Sequence, residues 1–280
     1  MRLIDATTIS EAVRRLCIEA NYRLPDDLKA RIESCRAGEE WQIARDILDK
    51  IVENYNLAEN GEIPVCQDTG MACVFLEIGR GVHICGDLAE AVNEGVREGY
   101  REGGLRLSIV SDPLFDRKNT GDNTPAMLYT DYVEGDNITV TVAPKGFGSE
   151  NMSCIKMLRP SDGVEGVANF VLETVEAAGP NPCPPIVVGV GVGGNFDKVA
   201  LLAKKALLRP IGEPCDDERY AALETMLLER INALGIGPQG FGGRTTALSV
   251  AIEHLPTHIA GLPCAVNINC HVTRHATEII

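Results

Sequence analysis

The chain has 280 residues, 45% of them hydrophobic, with 26 lysines and arginines against 40 aspartates and glutamates and a formal net charge of −14. This composition supports a folded core and excludes disorder as the main state, and the acidic balance with no basic run argues against a nucleic-acid partner. No apolar run approaches the roughly 20 residues that cross a bilayer, and the opening MRLIDATTISEAVRRL lacks the apolar stretch of a signal peptide, so the sequence reads as cytoplasmic with no membrane partner.

Residues 1–60 read as helical. Ile9, Val13, Leu16 and Ala20 place one apolar stripe on a polar helix, Ile43, Ile47 and Ile51 repeat the pattern, and a short helix starting at Pro25 carries Leu28, Ile32 and Cys35. From Glu62 the pattern changes to short apolar runs bounded by Gly and Pro: IPVC, MACVFLEIG, AMLYTDYV and NITVTVAP. These predict strands, and the turn EGDN predicts a hairpin joining the last two. Asp162 and Glu165 are spaced as a capping box before the stripe Val164, Val167, Ala168, Val171, Leu172 and Val175, which Gly179 and Pro180 stop. The run PPIVVGVGVGG predicts a buried strand, followed by helices over 196–208 and 219–234. No repeat, low-complexity tract or linker intervenes. The expected fold class is therefore α/β, mixed in α and β, as a single domain over 1–280 with a helical part over 1–60 and a sheet-and-helix core over 61–280.

Ten cysteines need an account. A disulfide framework does not suit a reducing compartment, and free cysteine is commonly a small core residue, the reading given to Cys73 and Cys85 inside their apolar runs. Three others sit where a core residue would be oddly placed. Cys66 runs straight into the polar turn Gln67-Asp68-Thr69-Gly70. Cys183 is held in Asn181-Pro182-Cys183-Pro184-Pro185, where prolines fix φ and remove backbone donors. Cys270 precedes His271 and a short polar tail. Each thiol is thus offered from a loop, although their wide spacing leaves it to the fold to bring them together.

Five ordered stretches carry a resemblance. VCQDTG at 65–70, GFGSEN at 146–151, NPCPP at 181–185, GIGPQGFGG at 235–243 and HIAGLPCAVNINC at 258–270 resemble class I fumarases. More widely they are similar to the α chains of the iron–sulfur hydro-lyases, a family that includes two-subunit fumarate hydratase and L-tartrate dehydratase. The resemblance spans roughly residues 60–275. It implies that Cys66, Cys183 and Cys270 hold a 4Fe-4S cluster, for which thiolates are the soft ligands required, and that one iron is left without a protein ligand to act as a Lewis acid on a departing hydroxide.

The resemblance also implies roles around that centre. Gln67 is expected to bind a substrate carboxylate and Asp68 to join proton transfer. Arg106 matches a substrate-contacting position, where its planar fork suits a carboxylate. Gly148 offers a backbone N–H with no side chain in the way, and His258 is a hydrogen-bond donor or acid near the site. Single-chain relatives continue after the third cysteine into a second domain, whereas this chain ends ten residues later, at Ile280. A separate β subunit in an α2β2 assembly is therefore expected. The function expected is reversible hydration of fumarate to (S)-malate, with GFGSEN and the stretch 240–245 favouring fumarase over an L-tartrate dehydratase α subunit.

Two other classes compete. Cys264, Cys270, His271 and His275 form a C-x5-C-H-x3-H pattern that would suit zinc, leaving Cys66 and Cys183 without a role. Gly189, Gly191 and Gly194 satisfy G-x-G-x-x-G after a strand, but no second strand ending in an acidic residue follows. Close packing of strand against helix is the alternative account of these glycines.

Overall fold

A computed structural model describes all residues from 1 to 280 and shows helices with three sheets containing parallel and antiparallel pairs, the expected α/β class. In chain order the first elements are β1 (Arg2–Asp5), α1 (Ala6–Tyr22), α2 (Asp26–Gly38), α3 (Gln42–Gly61), β2 (Met71–Gly79), β3 (Val82–Cys85), α4 (Leu88–Glu102), β4 (Met127–Val133) and β5 (Ile138–Lys145). There follow α5 (Phe147–Glu150), β6 (Cys154–Leu158), α6 (Gly163–Ala178), β7 (Ile186–Gly194), α7 (Phe196–Ala206), α8 (Glu218–Ala233), β8 (Ala247–Thr257), β9 (Leu262–Asn269) and β10 (Ala276–Ile279). The backbone forms two compact units. One comprises Met1–Pro25, Asn54–Phe147 and Arg274–Ile280, the other Asp26–Glu53 and Gly148–Thr273.

In the first unit the sheet order is β10-β5-β2-β4. Ile138, Val140 and Val142 alternate inward on β5 and meet Ile9, Val13 and Leu16 of α1 together with Val96 and Tyr100 of α4. Full burial of each large apolar side chain contributes about 1.5–3 kcal/mol. Asp5 caps α1, its Oδ1 accepting from the Thr7 backbone N–H at 2.9 Å. The expected hairpin does not form: β2 lies between β4 and β5, parallel to the first and antiparallel to the second. The EGDN turn instead packs its backbone on the end of β2, Gly81 N–H donating to Gly135 O at 2.8 Å.

Two other local expectations change. Ile63–Cys66 is irregular rather than a strand, because its backbone partners are single groups: Val65 N–H donates to Asn21 O, and Asn54 Nδ2 donates to Val65 O, both at 2.9 Å. Cys85 is exposed, since β3 pairs only with the short β1 and turns that side chain outward.

In the second unit the sheet order is β6-β9-β7-β8, with β7 and β8 parallel and β9 antiparallel to β7. Val188 and Val190 face a core shared with Val171 and Val175 of α6 and Leu227 and Ile231 of α8. The opposite face of β7 presents Gly189 and Gly191 to α7. A Cβ on either would lie 2.2 Å from a helix carbonyl, that of Ala203 or Val199 respectively. These glycines are required by close helix packing, which accounts for them without a dinucleotide. Asp162 does not form the expected capping box with Glu165; its Oδ2 accepts from Arg159 N–H at 2.8 Å and closes the 3-10 turn ahead of α6.

Candidate active site

Within the first unit, the segment Cys66-Gln67-Asp68 lies between α3 and β2, with Gln67 exposed and the other two half-buried. Its exit is forced. Gly70 has φ +75°, and a Cβ there would lie 2.7 Å from the Lys145 backbone, so only glycine lets the chain pass β5. The Asp68 carboxylate accepts two backbone N–H bonds, Oδ1 from Gly70 at 3.1 Å and Oδ2 from Phe147 at 2.9 Å. Arg106 is brought alongside through its backbone. Its N–H donates to Thr69 Oγ1 at 2.9 Å, and that hydroxyl donates to Arg106 O at 3.2 Å, leaving the guanidinium exposed. Cys66, Gln67, Asp68 and Arg106 are therefore neighbours in one unit.

Within the second unit, antiparallel pairing of Val187 with Asn269 puts the start of β7 beside the end of β9. Cys183 precedes the first and Cys270 follows the second. The two loops are bonded: Cys183 O accepts from His271 N–H at 3.4 Å and lies 2.9 Å from His271 Nδ1. Cys183 is exposed and adopts φ +56°, a left-handed conformation that costs a non-glycine residue about 1–2 kcal/mol. The neighbours hold it there. Cys183 N–H donates to Pro180 O at 3.0 Å, while the Gln239 backbone and side-chain nitrogens both donate to Pro184 O at 2.8 Å. A strained, exposed thiol fixed from both sides is the pattern expected where function requires the geometry.

Gly148 reaches the same end of the sheet. A Cβ on it would lie 3.9 Å from Asn181 O, and the neighbouring Glu150 accepts from Asn267 Nδ2 at 2.6 Å and from Lys204 Nζ at 2.7 Å. Asn267 also donates to Ser153 Oγ at 2.7 Å, so this loop is tied to β9 three residues before Cys270.

His258 is not brought to these cysteines. It is exposed in the turn after β8, whose Thr257 pairs with Gly194 at the far end of β7, about eight residues or roughly 26 Å of strand from Ile186. Its ring nitrogen accepts from Ala260 N–H at 3.2 Å and shapes the turn to β9. A cavity of about 400 Å³ at that far end is lined by Val164, Val167, Val192, Tyr220, Leu223 and Leu262 and contains none of the expected site residues.

The zinc pattern also disperses. Cys264 is buried within β9, six residues or roughly 20 Å of strand from Cys270, and burial pushes its thiol up to about 12. Cys17, enclosed in the other core, is likewise pushed up to about 12. These two thiols stay protonated and are poor ligands. Neither unit contains a ready-made group of three His, Cys, Asp or Glu side chains for a metal ion. What fits an iron–sulfur group is the chemistry of the donors: Cys183, exposed beside Cys270, and the half-buried Cys66, none of them in a disulfide.

Comparison with known proteins decides the family. The model of the family described as fumarate hydratase (Fumerase) matches residues 10–278. The chain belongs to this family. Over 277 residues it is 45% identical to a protein named putative L(+)-tartrate dehydratase subunit alpha from Methanocaldococcus jannaschii, covering 97% of each chain. It is 32% identical over 276 residues to L(+)-tartrate dehydratase subunit alpha of Escherichia coli O157:H7, covering 97% of this chain and 90% of that one. As a member of the Fumerase family the protein is a hydro-lyase.

Sequence reasoning missed Tyr100, Asn123 and Arg274, whose side chains bond the backbone of 68–70. No local pattern marks them. Tyr100 lies on α4, where no helix was expected, and Arg274 reads as a charge in a polar tail.

Proposed function

We propose that this chain is the iron–sulfur-bearing α subunit of a two-subunit hydro-lyase that interconverts (S)-malate and fumarate, with Cys66, Cys183 and Cys270 as the ligands of a 4Fe-4S cluster. The observation that carries the reading is Cys183, an exposed thiol held at positive φ and hydrogen-bonded through its carbonyl to the residue after Cys270. When bound, such a cluster supplies a Lewis-acidic iron that eases departure of hydroxide.

The remaining work falls to this chain's own groups. The Arg106 guanidinium, exposed beside Thr69, pairs with a substrate carboxylate through two parallel N–H bonds. The Gln67 amide donates to a carboxylate oxygen, and the Gly148 N–H meets the substrate where a side chain would obstruct it. Asp68, its carboxylate fixed by two backbone N–H groups, takes part in moving the proton that leaves carbon as hydroxide leaves its neighbour, giving fumarate and water. His258 is proposed to act as a hydrogen-bond donor or acid from its exposed turn, at the opposite end of the sheet from the Cys183 and Cys270 loops.

Both named relatives are α subunits. That supports a separate β subunit, which we place with this chain in an α2β2 assembly. The cysteine thiols suit a reducing cytoplasm, and no helix is long and apolar enough to cross a membrane. The second reading is L(+)-tartrate as substrate, favoured by the names of both relatives, whereas the GFGSEN and 240–245 stretches favour fumarate. The test is an anaerobic assay of the chain co-expressed with its complementary subunit on malate, fumarate and L(+)-tartrate. A kcat/KM for malate and fumarate at least about tenfold above tartrate is expected; the reverse order assigns the tartrate reaction.

A further inference from the structure

The segment that carries Asp68 is held by its carbonyls. Arg274 Nη2 donates to Asp68 O at 2.5 Å, and Tyr100 Oη lies 2.9 Å from Thr69 O and 3.0 Å from Gly70 O, one proton shared between two acceptors. Asn123 Nδ2 donates to Gly70 O at 3.2 Å, while its Oδ1 accepts from Ser108 N–H at 2.7 Å. All three donors are buried: Tyr100 and Asn123 fully, and Arg274 with 5% of its surface exposed. They come from α4, from the loop before β4 and from the stretch before β10, three places far apart in sequence that converge on three consecutive carbonyls.

Such an arrangement has a cost that packing alone does not explain. A buried guanidinium is expensive to desolvate, yet Arg274 bonds only a backbone carbonyl, and its Nε has no hydrogen-bond partner. The Tyr100 ring would fill the core equally well as phenylalanine. We propose that Tyr100, Asn123 and Arg274 are positioning residues: by drawing the carbonyls of Asp68, Thr69 and Gly70 inward they turn Gln67 and the Asp68 carboxylate toward substrate. The Thr69 hydroxyl ties the segment to the Arg106 backbone, and the Asp68 carboxylate accepts from the Gly70 and Phe147 N–H groups, but none of these bonds reaches the carbonyls of 68–70, so without the three donors the peptide planes can turn. A catalytic carboxylate displaced by about 1 Å loses rate on the order of a hundredfold.

This inference rests on the proposed role of Asp68, and its test separates the two. Tyr100→Phe, Arg274→Gln and Arg274→Lys are prepared as iron-loaded complexes with the complementary subunit. Tyr100→Phe is expected to lower kcat about tenfold or more with KM within about twofold and iron content unchanged. Arg274→Gln lowers kcat further, and Arg274→Lys, which keeps the charge and a donor, recovers part of the loss. Hydrogen exchange supplies a readout independent of turnover: in the iron-free Tyr100→Phe chain the amides of Gly70 and Arg106 exchange about tenfold faster, while those of α4 do not. Wild-type kcat and exchange in Tyr100→Phe overturn the inference, as does a parallel fall of kcat, iron content and thermal midpoint, which a merely structural role gives. If Arg274→Gln fails to fold, Tyr100→Phe decides alone. If the wild-type complex converts none of the three substrates, the functional reading fails instead, and the exchange of 65–70 still decides whether the donors hold the segment.

Discussion

At Cys183 stability and function pull in opposite directions. Left-handed backbone costs a cysteine about 1–2 kcal/mol that glycine avoids, against roughly 0.5–1 kcal/mol of extra chain entropy in unfolded glycine. The side chain is exposed, so its loss removes little packing. Cys183→Gly should therefore unfold in urea at or slightly above the wild-type midpoint when iron-free, while holding markedly less iron after anaerobic reconstitution. Cys183→Ser should lose the iron without the gain. Full iron content in either variant removes Cys183 from the ligand set. The buried thiols behave differently. Cys17 has an ordinary value of 9.0 raised to about 12 by burial, so below pH 9 both folded and unfolded chains keep the proton. Between pH 9 and 12 only the unfolded chain releases it, and stability falls as pH rises, by up to about 1.4 kcal/mol per unit for such a thiol. Urea midpoints measured at pH 8 and pH 10.5 under reducing conditions should therefore differ less in Cys17→Ala than in wild type; equal differences would show that this thiol ionises as freely folded as unfolded.

Helix α4 shows what an element owes to missing side chains. A Cβ on Gly95 would lie 2.4 Å from Ser10 O and 2.8 Å from Val13 Cβ, and one on Gly99 would lie 2.8 Å from Arg14 O, so α1 and α4 touch backbone to backbone. Alanine improves helix propensity by about 1 kcal/mol, but forcing apart a packed helix pair costs about 1–3 kcal/mol, and a carbonyl cannot swing aside. Gly95→Ala should lower the urea midpoint, whereas Gly38→Ala, with nothing within 4 Å, should leave it unchanged or raise it. An unchanged midpoint in Gly95→Ala would mean the helices can separate freely. These contrasts also mark what sequence can reveal. The stripes on α1 and α6 were legible because a helix writes its burial into neighbouring residues, and β7 because both its faces are covered. The order β5-β2-β4 was not, since nothing in the EGDN turn reports that a distant strand inserts between its flanks. Similarly, Cys66, Cys183 and Cys270 stand out beside prolines and polar turns, while Tyr100, Asn123 and Arg274 act through backbone atoms and leave no pattern. His258 was legible only as part of a motif, and its place at the other end of β7 depends on strand direction.

For the molecule as a whole, the proposed ligands belong to segments remote in sequence, and metal affinity for folded ligands is itself folding free energy. A group held a thousandfold above its dissociation constant adds about 4 kcal/mol, and each kcal/mol moves the midpoint of a chain this size by about 2–4 °C. Iron-loaded protein should therefore melt several degrees above the same protein treated with chelator, with activity lost and regained in step. Composition alone would allow a trivial version of this effect, because iron adheres to any exposed thiol or acidic surface on a chain of net charge −14. The variants distinguish the two. Cys85→Ser removes an exposed thiol outside the proposed set and should leave the full shift in place, whereas Cys66→Ser and Cys270→Ser, each far in sequence from Cys183, should abolish it as completely as Cys183→Ser. A shift that survives loss of any one of the three, or that falls equally with Cys85→Ser, would show adventitious iron, and the case for a specifically held cluster would go with it.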